Sequence, residues 1–210
     1  MTTIRTAMLL AFDTSSAACT VALFDGAGRC VASADEVIGR GHAERLMPLI
    51  AEVMDGRAAS QILVGVGPGS FTGIRVAIAA AHGLAIGWDA ELAGMNSLAL
   101  LAASAGADEA VAAAVLGGHG EIFVQQFEGR SLRATSEVFN ARPTDVAGMT
   151  HAGLVVGSGA PALVDARATG EAREAWPLAA NALRLPESLR SLAPRPVYAR
   201  APDARIPVAA

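Results

Sequence analysis

Apolar positions in the first half of the chain fall into short runs and helix-spaced repeats, which predict strands and helices in turn. Pro48 is expected to bend the first helix, unless that helix begins near this residue. The predicted elements are strands over 8–13, 20–24 and 29–38, a helix over 42–54, a strand over 62–66, a helix over 70–86, a strand over 91–94, and a helix from Asn96 or Ser97 to Ala105. This alternation predicts an α/β fold.

The second half repeats the alternation with a weaker signal. Strands are predicted over 110–116, 122–127, 133–139 and 154–156, with a short helix over 143–149. After Asp165 the periodicity fades. The segment from Arg184 to Arg205 is rich in arginine and proline, which predicts an extended, basic, partly disordered tail. Such a tail is either solvated or a strap that touches RNA or a partner.

The most distinctive segment is the turn from Gly65 to Ala77, which reads GVGPGSFTGIRVA. Its glycines permit backbone angles closed to other residues, and Ser70 or Thr72 can cap the helix that follows. Ile74 follows the last glycine where a Walker phosphate loop needs lysine. The spacing also fits neither a dinucleotide fingerprint nor a nucleophile elbow. The turn therefore either holds an anion or allows another surface to approach closely.

The segment GPGSFTGIR, from Gly67 to Arg75, resembles the signature of the TsaB (also called YeaZ) family, bacterial partner proteins in tRNA threonylcarbamoyladenosine synthesis. Further segments agree in order and spacing: AFDTSSAACTVALFD at 11–25, GHAERLMPLI at 41–50, GEIF at 120–123 and PVYAR at 196–200. The resemblance implies an α/β fold of the actin-like ATPase class (ASKHA, ribonuclease H-like) with two lobes and a degenerate nucleotide site. We then expect an N-terminal lobe over 1–97 that carries the partner-binding helices, a smaller lobe over 98–183, and the basic tail over 184–210.

The positions that bind nucleotide in ATPases of this fold differ in this chain. The Asp13–Ser16 hairpin keeps an acid and hydroxyls but lacks the usual glycine. The second hairpin has Leu116 and Gly118 where family members carry Asp and Arg. The glycine motif that contacts adenosine in ATPases of this fold has at best a weak counterpart here, in the run from Val156 to Gly159. Without carboxylates to hold Mg²⁺ on both lobes, phosphoryl transfer loses its main electrostatic support. We therefore expect no catalytic residue, cofactor or metal ligand, and a structural role for Asp13.

The histidine at 42 raises the question of a metal. The resemblance places His42 and Leu46 where the catalytic relative TsaD has two metal-binding histidines. One histidine cannot replace two ligands on one helix face, so we expect His42 at the surface or at the helix cap. The alternative function is a small ATPase or acyltransferase that acts through the Asp13–Ser16 hairpin and the Ser70 loop. A protease has the least support, because no nucleophile–base pair is evident.

The helix that begins near Ser70 is apolar on almost every side, so it needs cover on two faces. Its own sheet covers one face, and either the second lobe or a partner covers the other. The sequence alone favours neither. The resemblance favours a partner: TsaD in a heterodimer, or a second copy when the chain is alone. The ATPase TsaE would dock on the TsaB–TsaD pair, and tRNA would be reached only through the complex.

The resemblance implies a non-catalytic scaffold or activator subunit of the complex that transfers a threonylcarbamoyl group to tRNA adenosine next to the anticodon. The expected interface residues are His42, Leu46, Met47, Ile50, Met54, Ser70, Phe71, Thr72, Arg75, Ile78, Ala81 and His82.

The overall charge and the cysteines add two expectations. A formal net charge of −4 gives no general attraction to nucleic acid or to anionic membranes. The first apolar run ends at Asp13, and Arg75, His82 and Asp89 interrupt the best candidate for a membrane span, so we expect no leader, no membrane span and a cytoplasmic location. Cys19 and Cys30 lie too far apart across the predicted hairpin for a disulfide, with Cys30 expected opposite Leu23. We expect two reduced, buried thiols.

Overall fold

A computed structural model describes residues 7–197, which fold into two five-stranded sheets. The first sheet contains β1 (Leu9–Asp13), β2 (Ala18–Phe24), β3 (Cys30–Val37), β4 (Gln61–Gly65) and β5 (Glu91–Met95). Its order is β3-β2-β1-β4-β5, in which β1 and β3 are antiparallel to β2, and β4 and β5 run parallel to β1.

The second sheet repeats this topology. It contains β6 (Val111–Leu116), β7 (Ile122–Phe127), β8 (Phe139–Ala141), β9 (Leu154–Val156) and β10 (Glu171–Arg173). Its order from one edge is β8-β7-β6-β9-β10, with β6 and β8 antiparallel to β7, and β9 and β10 parallel to β6. Each lobe is therefore an antiparallel meander extended by two parallel strands.

Within residues 7–197, six α-helices connect or cover the sheets. They are α1 (His42–Met54), α2 (Phe71–Trp88), α3 (Ser97–Ser104), α4 (Pro143–Val146), α5 (Ala160–Arg167) and α6 (Glu187–Arg190), with 3₁₀ helices at Ala147–Met149 and Ala179–Arg184. Ser70 caps α2 by accepting a hydrogen bond from the Gly73 amide, and Asn96 caps α3 through the Ala99 amide. These caps supply acceptors for amides that have no partner within the helix.

The core forms three layers of apolar side chains. α3 lies between the two sheets, and its residues 97–103 are all buried. It shares one core with Ala11 and Leu63 of the first sheet and with Ala113 and Phe127 of the second. α1 and α2 cover the outer face of the first sheet, and α4 and α5 cover the outer face of the second.

The first half matches the predicted elements closely, whereas the second half shows departures. β8 spans Phe139–Ala141 rather than 133–139, because side-chain contacts replace strand pairing near Ser136. There, Gln125 Nε2 donates to the Ser136 carbonyl and Ser136 Oγ accepts from the Gln126 amide. The short elements α5 and β10 were not predicted, since they carry little periodic signal.

The segment 184–197 is folded against the first lobe, so the prediction of an extended, partly disordered tail was wrong there. Leu185 is buried, and Leu192 pairs with Gly94 of β5. Packing against the sheet therefore orders a segment whose own composition is typical of a loop. Arg200 and Arg205 lie outside the described residues.

The two cysteines are free thiols in different environments. Cys19 is buried as expected, and burial raises the pKa of its thiol to about 11. Cys30 is exposed, so the prediction of two buried thiols was wrong. A register shift also places Cys30 opposite Phe24 instead of Leu23.

By length and composition, α2 is the one helix among residues 7–197 that could cross a membrane. In the fold, α2 packs Ile74, Ala77 and Ala81 into the core beneath the first sheet.

Candidate functional site

The glycine-rich turn between β4 and α2 packs directly against the β1–β2 turn of the same chain. A Cβ atom at Gly73 would lie 1.9 Å from the Thr14 carbonyl oxygen, and one at Gly69 would lie 2.2 Å from that of Ser15. A Cβ at Gly65 would lie 1.8 Å from Asp13 Oδ2. Of the two uses left open by the sequence, the glycines thus serve the close approach of another segment.

Hydrogen bonds fix this contact. The Ser70 amide donates to the Ser15 carbonyl at 2.7 Å, and Thr14 Oγ1 donates to the Gly73 carbonyl at 2.7 Å. The first-hairpin position, where ATPases of this fold hold phosphate, is therefore packed with backbone from the start of α2.

Asp13 lies at the centre of this arrangement and is completely buried. Its Oδ1 accepts from the amide and the hydroxyl of Ser15, both at 2.7 Å, and its Oδ2 accepts from Ser97 Oγ at 2.6 Å. Burial raises the pKa of the Asp13 carboxyl above its usual range, although the hydrogen bonds from Ser97 and Ser15 oppose that shift. These contacts support the structural role expected for Asp13. Nothing in the sequence pointed to Ser97 as its partner.

His42 begins α1 and is 8% exposed, so the prediction of a surface or capping histidine was wrong. Gly41 occupies the cap position, and His42 Nε2 has no hydrogen-bond partner.

One helical turn after His42, the Arg45 guanidinium forms ion pairs with both Glu36 and Glu52. Its hydrogen bonds lower the pKa values of both carboxyls. Across residues 7–197, no group of three or more His, Cys, Asp or Glu side chains is placed to hold a metal.

The corresponding turn of the second lobe is also filled. A Cβ at Gly157 would lie 2.4 Å from the Ala114 carbonyl oxygen, and the Gly159 amide donates to that oxygen at 3.0 Å. Ser158 Oγ accepts from the Leu116 amide at 3.1 Å. The glycines after β9 therefore bring α5 close to β6.

The outward face of α2 is exposed along the whole helix. Most of its side chains are small or apolar, and α2 contains no acidic residue. Ile86 is 84% exposed and Phe71 is 57% exposed. The guanidinium of Arg75 lies 3.6 Å from the centre of the Phe71 ring. The exposed residues of this face are Phe71, Thr72, Arg75, Ala79, His82, Gly83, Ile86 and Gly87.

A groove with a volume of about 230 Å³ lies between α1 and α2 next to this face. Met47, which is 44% exposed, forms part of its rim. The groove is lined by Met47, Ile50, Ala51, Met54, Gly56, Arg57, Leu84 and Trp88.

The twelve residues predicted at the interface divide into two sets. Met47, Ser70, Phe71, Thr72, Arg75 and His82 are exposed, whereas His42, Leu46, Ile50, Met54, Ile78 and Ala81 are buried. Ile78 and Ala81 lie in the core, so a charged residue at either position would disturb the fold itself. The sequence did not single out Ala79, Gly83 and Ile86 as exposed, because an almost uniformly apolar helix gives no sign of which side faces the sheet.

Two lobes of one topology, each with a glycine turn between a parallel strand and a helix, define a chain of the actin-like ATPase (ASKHA) class. A family model described as TsaD, tRNA N6-adenosine threonylcarbamoyltransferase, matches residues 34–167. The chain belongs to this family and, within it, to the TsaB (YeaZ) group.

Solved structures and curated relatives support this assignment. A crystal structure of an uncharacterized Pseudomonas aeruginosa protein with similarity to peptidase YeaZ is 31% identical, with a TM-score of 0.77, and the match covers 92% of this chain and 100% of that one. YeaZ from Pseudomonas aeruginosa is 28% identical, with a TM-score of 0.76, and the match covers 91% and 99%. The tRNA threonylcarbamoyladenosine biosynthesis protein TsaB of Escherichia coli (strain K12) is 36% identical over 103 residues, which are 46% of this chain and 43% of that protein. The chain thus spans less than half the length of this curated relative.

Proposed function

We propose that this chain is a non-catalytic subunit in tRNA threonylcarbamoyladenosine biosynthesis, where it binds a transferase of the TsaD class and supports its activity. The names of the Escherichia coli and Haemophilus influenzae relatives support the pathway. The proposal rests mainly on the exposed, largely apolar face of α2. The working location is the cytoplasm, where tRNA is modified.

The α2 face has the properties of a helix-packing surface. A Cβ atom at Gly83 or Gly87 would meet no other atom within 4 Å, so a partner helix can approach the backbone there. Exposed apolar patches of this kind mark interaction sites, and small residues allow close packing of helices. The groove beside Met47 and Leu84 then receives side chains from the partner. When no transferase is present, a second copy of the chain uses the same face, and TsaE binds the completed heterodimer.

The non-catalytic role is supported by the packing of the two glycine turns. Gly69 and Gly73 leave no room between the two turns of the first lobe, and Gly157 is packed against β6 in the second. The alternative ATPase or acyltransferase would need Asp13 to reach a ligand, but that side chain is buried and bound to serines.

The relative described as similar to a peptidase does not change this proposal. Ser15 Oγ donates to Asp13, and Ser70 Oγ accepts from the Gly73 amide. Within residues 7–197, neither serine hydroxyl is hydrogen-bonded to a histidine, so neither is paired with the base that a serine nucleophile requires.

Ala79→Arg tests the pairing surface, because Ala79 is exposed at the middle of the α2 face. Light scattering after size-exclusion chromatography, with the TsaD-class transferase of the same organism, should show a heterodimer for the original chain. The arginine should weaken pairing by about 30-fold or more, since it places an unpaired charge in the contact. When the chain and the transferase are combined with tRNA and the threonylcarbamoyl donor, the Ala79→Arg variant should also give less modified tRNA than the original chain.

Ala110→Arg is the matched control, because Ala110 is exposed in the second lobe, just before β6. It should pair and support modification like the original chain, and both variants should keep the original melting temperature within a few degrees. Undiminished pairing by Ala79→Arg would contradict the proposed surface. Hydrolysis of magnesium ATP by the purified chain alone would contradict the non-catalytic role.

A further inference from the structure

We infer that the two lobes are fastened into one rigid body, so that the two sheets keep a fixed relative orientation with or without nucleotide. Two-lobed proteins that act on nucleotides usually close around them by hinge or shear motion. Such motion needs connecting segments that can change conformation without disturbing a packed core. Apart from the exposed stretches 108–110 and 171–174, the connections between these lobes are packed.

The first contact that holds the lobes together, called a fastening below, is made by Thr20, a completely buried residue of β2. Its hydroxyl donates to the Pro177 carbonyl at 2.9 Å and accepts from the Ala179 amide at 3.2 Å. One side chain of the first sheet thus satisfies two backbone groups in the segment that returns from the second sheet. Separating them would leave buried polar groups without partners.

The second fastening is the connection through α3. Because residues 97–103 are buried between the sheets, rotation of one lobe would disturb contacts on both sides of this helix. Just before α3, Asn96 Nδ2 donates to Gln125 Oε1 of β7 at 3.1 Å. The first crossing between the lobes therefore has no exposed, loosely packed residue between β5 and the second half of α3.

The third fastening is the return of the chain to the first lobe. Ala179, Ala182 and Leu185 belong to the same core as α3. Beyond them, the Asn96 amide donates to the Leu189 carbonyl at 2.9 Å, and Leu192 and Gly94 exchange backbone hydrogen bonds. The chain thus crosses between the lobes twice, and each crossing contributes side chains to the shared core.

A rigid body of this kind keeps the α2 face in a fixed orientation relative to the second lobe. This inference does not depend on the proposed function, because it concerns the connection between the lobes and not the partner. It distinguishes the chain from two-lobed enzymes whose cleft closes during turnover.

A distance measurement between the lobes tests it directly. Glu137→Cys adds an exposed thiol to the second lobe, native Cys30 supplies one in the first, and Cys19 is buried. Double electron–electron resonance on the spin-labelled pair, diluted with unlabelled chain to remove distances between copies, should give one narrow distribution. Addition of millimolar magnesium ATP should leave it unchanged. A second distance, or a shift with magnesium ATP, would overturn the inference.

Hydrogen exchange at the Ala179 amide tests the Thr20 fastening separately. Thr20→Val keeps the shape and removes the hydroxyl, whereas Thr20→Ser keeps the hydroxyl as a control. Exchange at this amide should be about tenfold faster in Thr20→Val than in Thr20→Ser, because one acceptor is lost. Equal rates in the two variants would contradict the role of Thr20. If Thr20→Val does not fold, the distance measurement still decides the inference.

Discussion

Ser97 Oγ donates a 2.6 Å hydrogen bond to Asp13 Oδ2, which joins the first residue of α3 to the last residue of β1. Ser97 Oγ also accepts a hydrogen bond from the Gly67 amide at 3.0 Å, and the Ser97 amide donates to the Gly67 carbonyl at 3.0 Å. One serine therefore links the buried carboxylate, the glycine-rich turn and the central helix. Asp13, which lies in the hairpin that holds phosphate in ATPases of this fold, here helps to hold the lobe together.

Ser97→Ala should destabilise the fold by about 1–3 kcal/mol, because it leaves Asp13 Oδ2 and the Gly67 amide without their buried partner. Urea unfolding followed by circular dichroism measures the change. Ser33→Ala is the control, since Ser33 is exposed on the edge strand β3, and it should change the free energy of unfolding by less than about 0.5 kcal/mol. Equal stability of the two variants would show that the Ser97 hydroxyl does not support the fold.

The stability contribution of Asp13 should fall as pH rises from about 4, the ordinary carboxyl pKa. Burial raises the pKa of Asp13 in the folded chain, so the unfolded chain loses this proton first and folding becomes less favourable until the folded-state pKa is passed. Asp13→Asn removes this titration. Urea unfolding between pH 4 and pH 8 should show the original chain losing stability relative to the variant.

Asp25→Asn is the comparison for that experiment, because the contribution of Asp25 to stability should depend on pH in the opposite direction. Hydrogen bonds from Arg29 hold the pKa of Asp25 below its usual range. The contribution of Asp25 is therefore present above the ordinary carboxyl pKa and is lost as pH falls below it. Two variants with the same sign of pH dependence would contradict the environments assigned to these carboxyls.

Gly73→Ala should destabilise the chain by about 3 kcal/mol, because the new methyl group would overlap the Thr14 carbonyl oxygen. Gly83→Ala lies in the same helix, where its methyl group meets no atom within 4 Å. It should stabilise the isolated chain by about 0.5–1 kcal/mol, since alanine loses less backbone entropy in a helix. Thermal unfolding of the two variants should therefore shift in opposite directions, and a rise in melting temperature for Gly73→Ala would refute the close contact.

Thiol titration should distinguish the two cysteines. In the native chain, an aromatic disulfide reagent at pH 8 should react rapidly with exposed Cys30 and only slowly with Cys19. Cys19 is buried, and its pKa of about 11 keeps it protonated at that pH. Both thiols should react after denaturation. Cys30→Ser should abolish the rapid phase, and a rapid phase in that variant would show that Cys19 is accessible.

Local pattern predicted the first lobe better than the second. The runs 8–13 and 62–66 correspond closely to β1 and β4, because both strands are buried on both faces and their apolar runs are continuous. The short β8 and β10 lack the continuous apolar run that marks the equally short β9. The pairing surface itself stays a prediction, although the structure shows which of its proposed side chains are exposed.

The sequence by itself determined the alternation of strands and helices in the first lobe, and the turn from Gly67 to Arg75 was enough to indicate the family. Only the tertiary structure decided what that turn contacts and which side of α2 remains exposed. It also paired Thr20 with Pro177, 157 positions away. Periodicity and turn composition describe interactions between near neighbours in the chain. Contacts between distant segments depend on how the two sheets and α3 pack, and no local pattern records them.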